Sequence, residues 1–361
     1  MIQAIRRARF SLTSFLLTLV LTLGGLGAIG GVAAVAQPGH APQLNPPPSA
    51  DTEAPQDTTR SSSPPGEQAP QAQNAPSANG TPRDARLVRL YVTVLDHDGQ
   101  VVPDLGPQNF RVVEERVEQK LSFAKLEDAP ASVGLVIDAS GSMRDKFKWV
   151  AAGALTFVKA GNPKNQVFVA DFNDHFYIDQ DFTSDVDSIE RTLQTINSTG
   201  STALYDALGY SLIQLGKGAS DKKVLLVITD GMDDASRLQL GGAIHEARLS
   251  GALIYAIGLL SDTDKIEAKR ARKALEEISE ASGGLAYFPK SLADTDAICA
   301  QAARDIRNLY TLGYYPTNMA LGGGYRSVEV KVIPPPGRRK LSVRARSGYY
   351  GPEEPSDSGG N

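Results

Sequence analysis

The chain has 361 residues, a formal net charge of −4 and 41% apolar residues. That supports a sizeable core and gives no global basic field for nucleic acid. Four histidines and one cysteine, without an HExxH or CxxC pair, leave little room for a soft-metal centre, and Cys299 has no intrachain disulfide partner.

Arg6, Arg7 and Arg9 precede an apolar run over 10–36 that closes on Ala34-Val35-Ala36 before Gln37. Residues 1–36 therefore read as an export segment, either a cleaved signal peptide or an uncleaved membrane anchor. In both cases the arginines stay cytoplasmic and the remainder is exported: periplasmic, secreted or held at the membrane by residues 10–36. Residues 37–82 carry half of the 22 prolines among Ser, Gln, Ala and Thr, which predicts a disordered spacer.

Residues 83–127 read as a small β unit, with strands at 87–94, 110–113 and 121–126. His97, in the turn Asp96-His97-Asp98-Gly99, reads as an ordinary polar surface residue. Over 131–308 strands and helices alternate. Strands are predicted at 133–138, 166–172, 223–229, 253–258 and 285–288. Helices are predicted at 146–159, 185–196, 204–215, 236–249, 265–281 and 295–308, with Asp185 and Thr295 as N-caps and Gly283-Gly284 as a stop. Cys299 falls in the last of these as a small buried residue. Residues 309–350 return to β character, with strands at 310–315, 326–332 and 340–346, and 351–361 is a polar, disordered tail. The fold class is α/β. A doubly wound, mostly parallel sheet is flanked by a small antiparallel β unit drawn from the N- and C-terminal strands.

The chemistry gathers at the ends of two apolar strands. Gly134-Leu135-Val136-Ile137 runs into Asp138-Ala139-Ser140-Gly141-Ser142, and Leu225-Leu226-Val227-Ile228 runs into Thr229-Asp230-Gly231. A parallel sheet brings both ends to one edge, where ligands bind. The polar loop Asn197-Ser198-Thr199-Gly200-Ser201-Thr202 can reach the same edge. Asp138, Ser140, Ser142, Thr202 and Asp230 are hard oxygen donors suited to Mg2+, Ca2+ or Mn2+. Arg144 and Lys146 read as surface charges at a helix start. Asp233 and Asp234 either support the site or solvate its loop, the second being the simpler reading. Asp171, Asn173, Asp174 and His175 either rim the site or form a surface turn.

Asp138-x-Ser140-x-Ser142, followed by Thr202 and then Asp230 in Thr-Asp-Gly, resembles the metal-ion-dependent adhesion site of von Willebrand factor type A domains over roughly residues 131–305. The resemblance implies a Rossmann-like sheet. It implies Ser140, Ser142 and Thr202 as direct ligands of Mg2+ (or Ca2+ or Mn2+), with Asp138 and Asp230 acting partly through water. It also implies that a carboxylate from a partner protein completes the octahedron. The segment Val92-Thr93-Val94-Leu95-Asp96 and the endings Leu312-Gly313-Tyr314-Tyr315 and Ser347-Gly348-Tyr349 resemble exported bacterial proteins with this domain, although Glu115-Arg116 stands where that group has Asp-Gly.

Three functions follow. The first is an extracytoplasmic protein-binding module that recognises an acidic group through the metal. The second is an envelope structural or assembly component in which the metal is only structural. The third is a divalent-metal hydrolase, which lacks a general base in a recognisable motif, since His175 and His245 are the histidines of the α/β segment. No phosphate-cradling GxxxxGK segment is present.

Overall fold

The structure, a computed structural model, describes residues 87–320, 323–338 and 341–351. The export segment and spacer read at 1–36 and 37–82, and nearly all of the tail at 351–361, lie outside them. Among the described residues no helix is long and apolar enough to cross a membrane.

Four strands come first: β1 (Val88–Leu95), β2 (Phe110–Glu114), β3 (Val117–Gln119) and β4 (Leu121–Leu126). The alternating region then runs β5 (Ala131–Asp138), α1 (Phe147–Ala160), β6 (Gln166–Phe172), β7 (Phe176–Thr183), α2 (Val186–Leu193) and α3 (Leu204–Gly216). It continues with β8 (Lys222–Thr229), α4 (Leu240–Ser250), β9 (Leu253–Gly258), α5 (Lys265–Ser282), β10 (Ala286–Tyr287) and α6 (Thr295–Arg307). The closing strands are β11 (Tyr310–Tyr314), β12 (Tyr325–Val332), β13 (Ser342–Arg344) and β14 (Gly348–Tyr350).

The central six-stranded sheet has the order β10-β9-β8-β5-β6-β7. Every neighbouring pair is parallel except β6 with β7. All of β5 is buried, because helices cover both faces. Val133, Leu135 and Ile137 pack with Val150 and Phe157 of α1, Ile189 of α2 and Ile306 of α6. Val136 points the other way, into a core with Leu208 of α3, Ala243 of α4 and Leu275 of α5. Each such side chain contributes about 1.5–3 kcal/mol on burial. Cys299 lies fully buried in α6, and burial pushes its thiol up to about 12.

Three local features differ from the sequence reading. Strand β7 was not expected; it is an edge strand whose sequence, Phe-Tyr-Ile-Asp-Gln-Asp-Phe-Thr, lacks the continuous apolar run of its buried neighbours. Thr295 is not a cap. It is the first residue of α6, with Asp294 in the N-cap position, because the short turn Leu292–Asp294 runs directly into the helix. Strands β3 and β14, three residues each, are too short to carry a periodicity signal. Gly283 does end α5, at φ +85°.

The remaining strands form two four-stranded antiparallel sheets, β13-β1-β11-β4 and β14-β12-β2-β3. They share one core containing Leu90, Val92, Phe110, Val112, Tyr310, Leu312 and Val328. The chain leaves this sandwich at Leu126 and returns at Tyr310, and these two residues are register partners. The α/β region is thus an insertion between two adjacent strands. Glu114 ties the sandwich together. Its carboxylate accepts from Tyr314 Oη at 2.7 Å, from Tyr349 Oη at 2.9 Å and from Arg326 at 3.3 Å, with Glu114 and Arg326 both buried. Arg326 also donates to the carbonyls of Asn318 and Ala320.

At the β2–β3 turn, Glu115 and Arg116 both adopt positive φ, +48° and +69°. This is the left-handed conformation that the Asp-Gly of the resembling group adopts easily. Glu115 is held there because its carboxylate accepts from Ser327 N at 2.5 Å and Ser327 Oγ at 2.8 Å.

Glu114→Ala strands a buried guanidinium and two hydroxyls, so it is expected to lower stability by about 3–5 kcal/mol in urea denaturation followed by tyrosine signals. Arg116→Gly relieves the left-handed strain and is expected to raise stability by about 1 kcal/mol in the same assay.

Candidate metal centre

Strands β5 and β8 are parallel neighbours in register from Ala131↔Lys222 to Ile137↔Ile228, so Asp138 and Asp230 leave the sheet at the same edge. Asp138 has no exposed surface. Its Oδ1 accepts from Ser140 N at 2.8 Å and its Oδ2 from Thr229 Oγ1 at 2.6 Å. Between them these donors fix the carboxylate plane. The turn Gly141–Met143 then reverses the chain, anchored by the fully buried side chain of Met143. That turn brings Ser140 Oγ within 3.1 Å of Ser142 Oγ, and Ser142 Oγ donates to Asp230 Oδ1 at 2.8 Å. Four of the five residues singled out in the sequence are therefore linked in one hydrogen-bonded chain.

The fifth, Thr202, is carried by the loop before α3, which is bonded directly to the Asp138 loop. Thr199 N donates to Ala139 O at 2.7 Å and Gly141 N to Gly200 O at 3.0 Å. Gly200 has φ +82°, and a Cβ there would collide with the Asp174 carboxylate, so glycine is required. Asp174 in turn accepts from Ser201 N, and Ala203 N donates to Asn173 O. Asn173 and Asp174 thus brace the Thr202 loop rather than form a free surface turn.

Asp234 Oδ1 accepts from Thr202 N at 2.7 Å, and Asp233 accepts from Tyr205 N at the start of α3. The simpler reading of Asp233 and Asp234 as loop-solvating acids is therefore replaced: both hold the loop in place. Lys146 also departs from its reading as a surface charge. Its side chain is 14% exposed and its Nζ lies 2.5 Å from Asp230 Oδ2. Arg144 remains exposed, reaching only Ser198 O. Nothing in the spacing of Lys146 announced this contact. Thr229 carried a weak signal, as the hydroxyl residue directly before the acid.

Burial drives the Asp138 carboxyl up to about 6, against the lowering effect of its hydrogen bonds from Ser140 and Thr229. A carboxylate in such a place is costly to ionise without a nearby cation. Two carboxylates and three hydroxyls, with no sulfur or imidazole, suit a hard divalent ion such as Mg2+. The residues fit the group, with one oxygen of Asp230 already taken by the Lys146 ammonium. A tight Asp96, His97 and Asp98 cluster also occurs, but it is a surface turn in which Asp96 accepts from the backbone of Asp98 and Gln100.

Residues 132–301 match the von Willebrand factor type A domain family. The chain carries a von Willebrand factor type A domain. Comparison with curated proteins returns no match. Among solved structures, the type A domain protein from Catenulispora acidiphila is similar at 12% identity, covering 76% of this chain and 74% of that one, with a TM-score of 0.45. The PilB minor pilin from Streptococcus sanguinis shares 16% identity over 50% of this chain, with a TM-score of 0.42. This chain spans 61% of the pilin's length. BatB from Bacteroides thetaiotaomicron shares 16% identity, covering 49% of this chain and 98% of that one, with a TM-score of 0.39.

Beside the oxygen cluster, Asp171 on β6 has Tyr177 of β7 as its register partner and feels the nearby charge of Asp179 on the same strand. Burial, then the charge of Asp179, push the Asp171 carboxyl up to about 7. Such a group holds a proton in the folded state that the unfolded chain releases near pH 4. The contribution of this group to stability is therefore full below about pH 4 and is lost as pH rises to about 7. Asp171→Asn is expected to remove the upper part of this slope, measured as the urea midpoint in chelator across that range.

Proposed function

We propose that the chain is an exported, non-catalytic component that makes protein–protein contacts through its type A domain, and that the oxygen cluster holds a divalent ion which fixes the loops of that face. The observation that carries this reading is the linked set Asp138, Ser140, Ser142 and Asp230, all oxygen donors, at the carboxyl edge of the central sheet. Ser140, Ser142 and Thr202 would supply hydroxyl oxygens, and Asp138 and Asp230 the negative charge. When bound, the ion would neutralise two buried carboxylates and cross-link the loops after β5 and β8 and before α3.

Export is supported by the basic residues ahead of the apolar run at 10–36. The absence of a catalytic role is supported by the histidines of the domain. His245 Nδ1 is bonded to Tyr350 Oη, and His175 lies beside Tyr177. Among the described residues neither is bonded to a member of the oxygen cluster.

One observation favours a second reading, in which a carboxylate of the partner completes the ion's coordination. Ser142 is exposed while Asp138, Ser140, Thr202 and Asp230 are buried, so the cluster opens to solvent on the Ser142 side. The Ser142 hydroxyl adds no formal charge, so on that side no negative ligand stands between the ion and an incoming carboxylate.

Melting the full chain with and without Mg2+ tests the ion. At about a hundred times the dissociation constant, stabilisation of about 2.7 kcal/mol is expected, and Asp138→Ala abolishes it. An equal gain in the wild type and the variant would place the ion elsewhere. Partner binding that survives chelation, alongside a lowered melting temperature, selects the structural role; binding lost on chelation selects the second reading.

A further inference from the structure

Lys146 is the one feature of the cluster that the ion-binding reading does not use. It stands immediately before α1, on the chain segment that turns away from Ser142. Its ammonium reaches back to Asp230 Oδ2 at 2.5 Å, with the Asp230 side chain 1% exposed. Asp233 and Asp234 are committed to backbone N–H groups, so Asp230 is the acid that receives the ammonium.

We infer that Lys146 is a tethered competitor for the ion, setting the concentration at which the cluster loads and favouring divalent over monovalent ions. An ammonium has three donors and no acceptor, so it offers the ion no ligand and only repulsion. Asp230 Oδ1 accepts from Ser142 Oγ and Oδ2 from Lys146 Nζ, so an ion drawn to Asp230 meets the ammonium's positive charge beside the carboxylate and binds best when it takes the ammonium's place. A monovalent ion that replaces an ammonium gains no charge at the carboxylate; a divalent ion gains one. The displaced ammonium stays close because its backbone is fixed at the start of α1. Two carboxylates balance a divalent ion, and Lys146 then leaves one positive charge beside it, suited to an acidic group on a partner.

This inference rests on the oxygen cluster holding an ion, and its test separates the two. Calorimetric titration of the full chain with Mn2+ alone compares wild type, Lys146→Met, Lys146→Gln and Lys146→Arg. The methionine and glutamine variants are expected to bind Mn2+ about tenfold more tightly. Glutamine keeps a neutral donor toward Asp230, which guards the comparison against misfolding. Arginine keeps the charge and is expected to bind no more tightly than wild type. Melting adds a second readout: Mn2+ should raise the melting temperature more in Lys146→Met than in wild type. Equal or weaker Mn2+ binding in both neutral variants overturns the competition and leaves the ion site standing. Absence of Mn2+ binding in wild type and all three variants overturns both.

Discussion

The Asp138 carboxylate, closed off from water at the end of a buried strand, is the constraint on which the site depends. Strand β5 is covered on both faces, so it delivers its last residue into a place where negative charge is costly. Two hydrogen bonds, from Ser140 N and Thr229 Oγ1, offset part of that cost and fix the carboxylate. The same bonds fold the loop back over the sheet edge, which carries Ser142 to Asp230. The rest of the edge follows from this geometry. The Thr202 loop is bonded to the Asp138 loop, and Asp174, Asp233 and Asp234 spend their oxygens on backbone N–H groups that hold it.

The sandwich has a different logic. It is built from two segments separated in sequence by the whole type A domain, and it closes because Leu126 and Tyr310 are neighbours across β4 and β11. An insertion with adjacent ends constrains the host sheets little beyond fixing two neighbouring strands. Glu114 then joins β2, β11, β12 and β14 through Tyr314, Arg326 and Tyr349. The two tyrosine motifs near the chain's end thus do structural work within the sandwich, well apart in sequence from the oxygen cluster.

Much of this was legible in the residues. The continuous apolar runs ending in Asp138 and Asp230 gave the buried parallel strands, and parallel order put both acids on one edge. The helices were found to within a few residues because each has an apolar face. Strand β7 was not legible, since an edge strand with Asp179 and Asp181 in it looks like a loop without its partner β6. Lys146 was not legible either. A lysine near a helix start is usually solvated, and only the fold shows that its ammonium reaches Asp230. The distinct roles of Asp233 and Asp234 were hidden for a related reason: adjacent acids in a loop look alike until their backbone donors are known.

The account centres on a divalent ion held by the hydroxyls of Ser140, Ser142 and Thr202 between two carboxylates. A crystal structure grown with saturating Mn2+ and phased on its anomalous signal tests that most directly. The account predicts a peak at about 2.0–2.5 Å from the Ser140 and Ser142 hydroxyl oxygens, with the Lys146 ammonium moved off Asp230. No peak at this cluster, with Lys146 still bonded to Asp230, would contradict it.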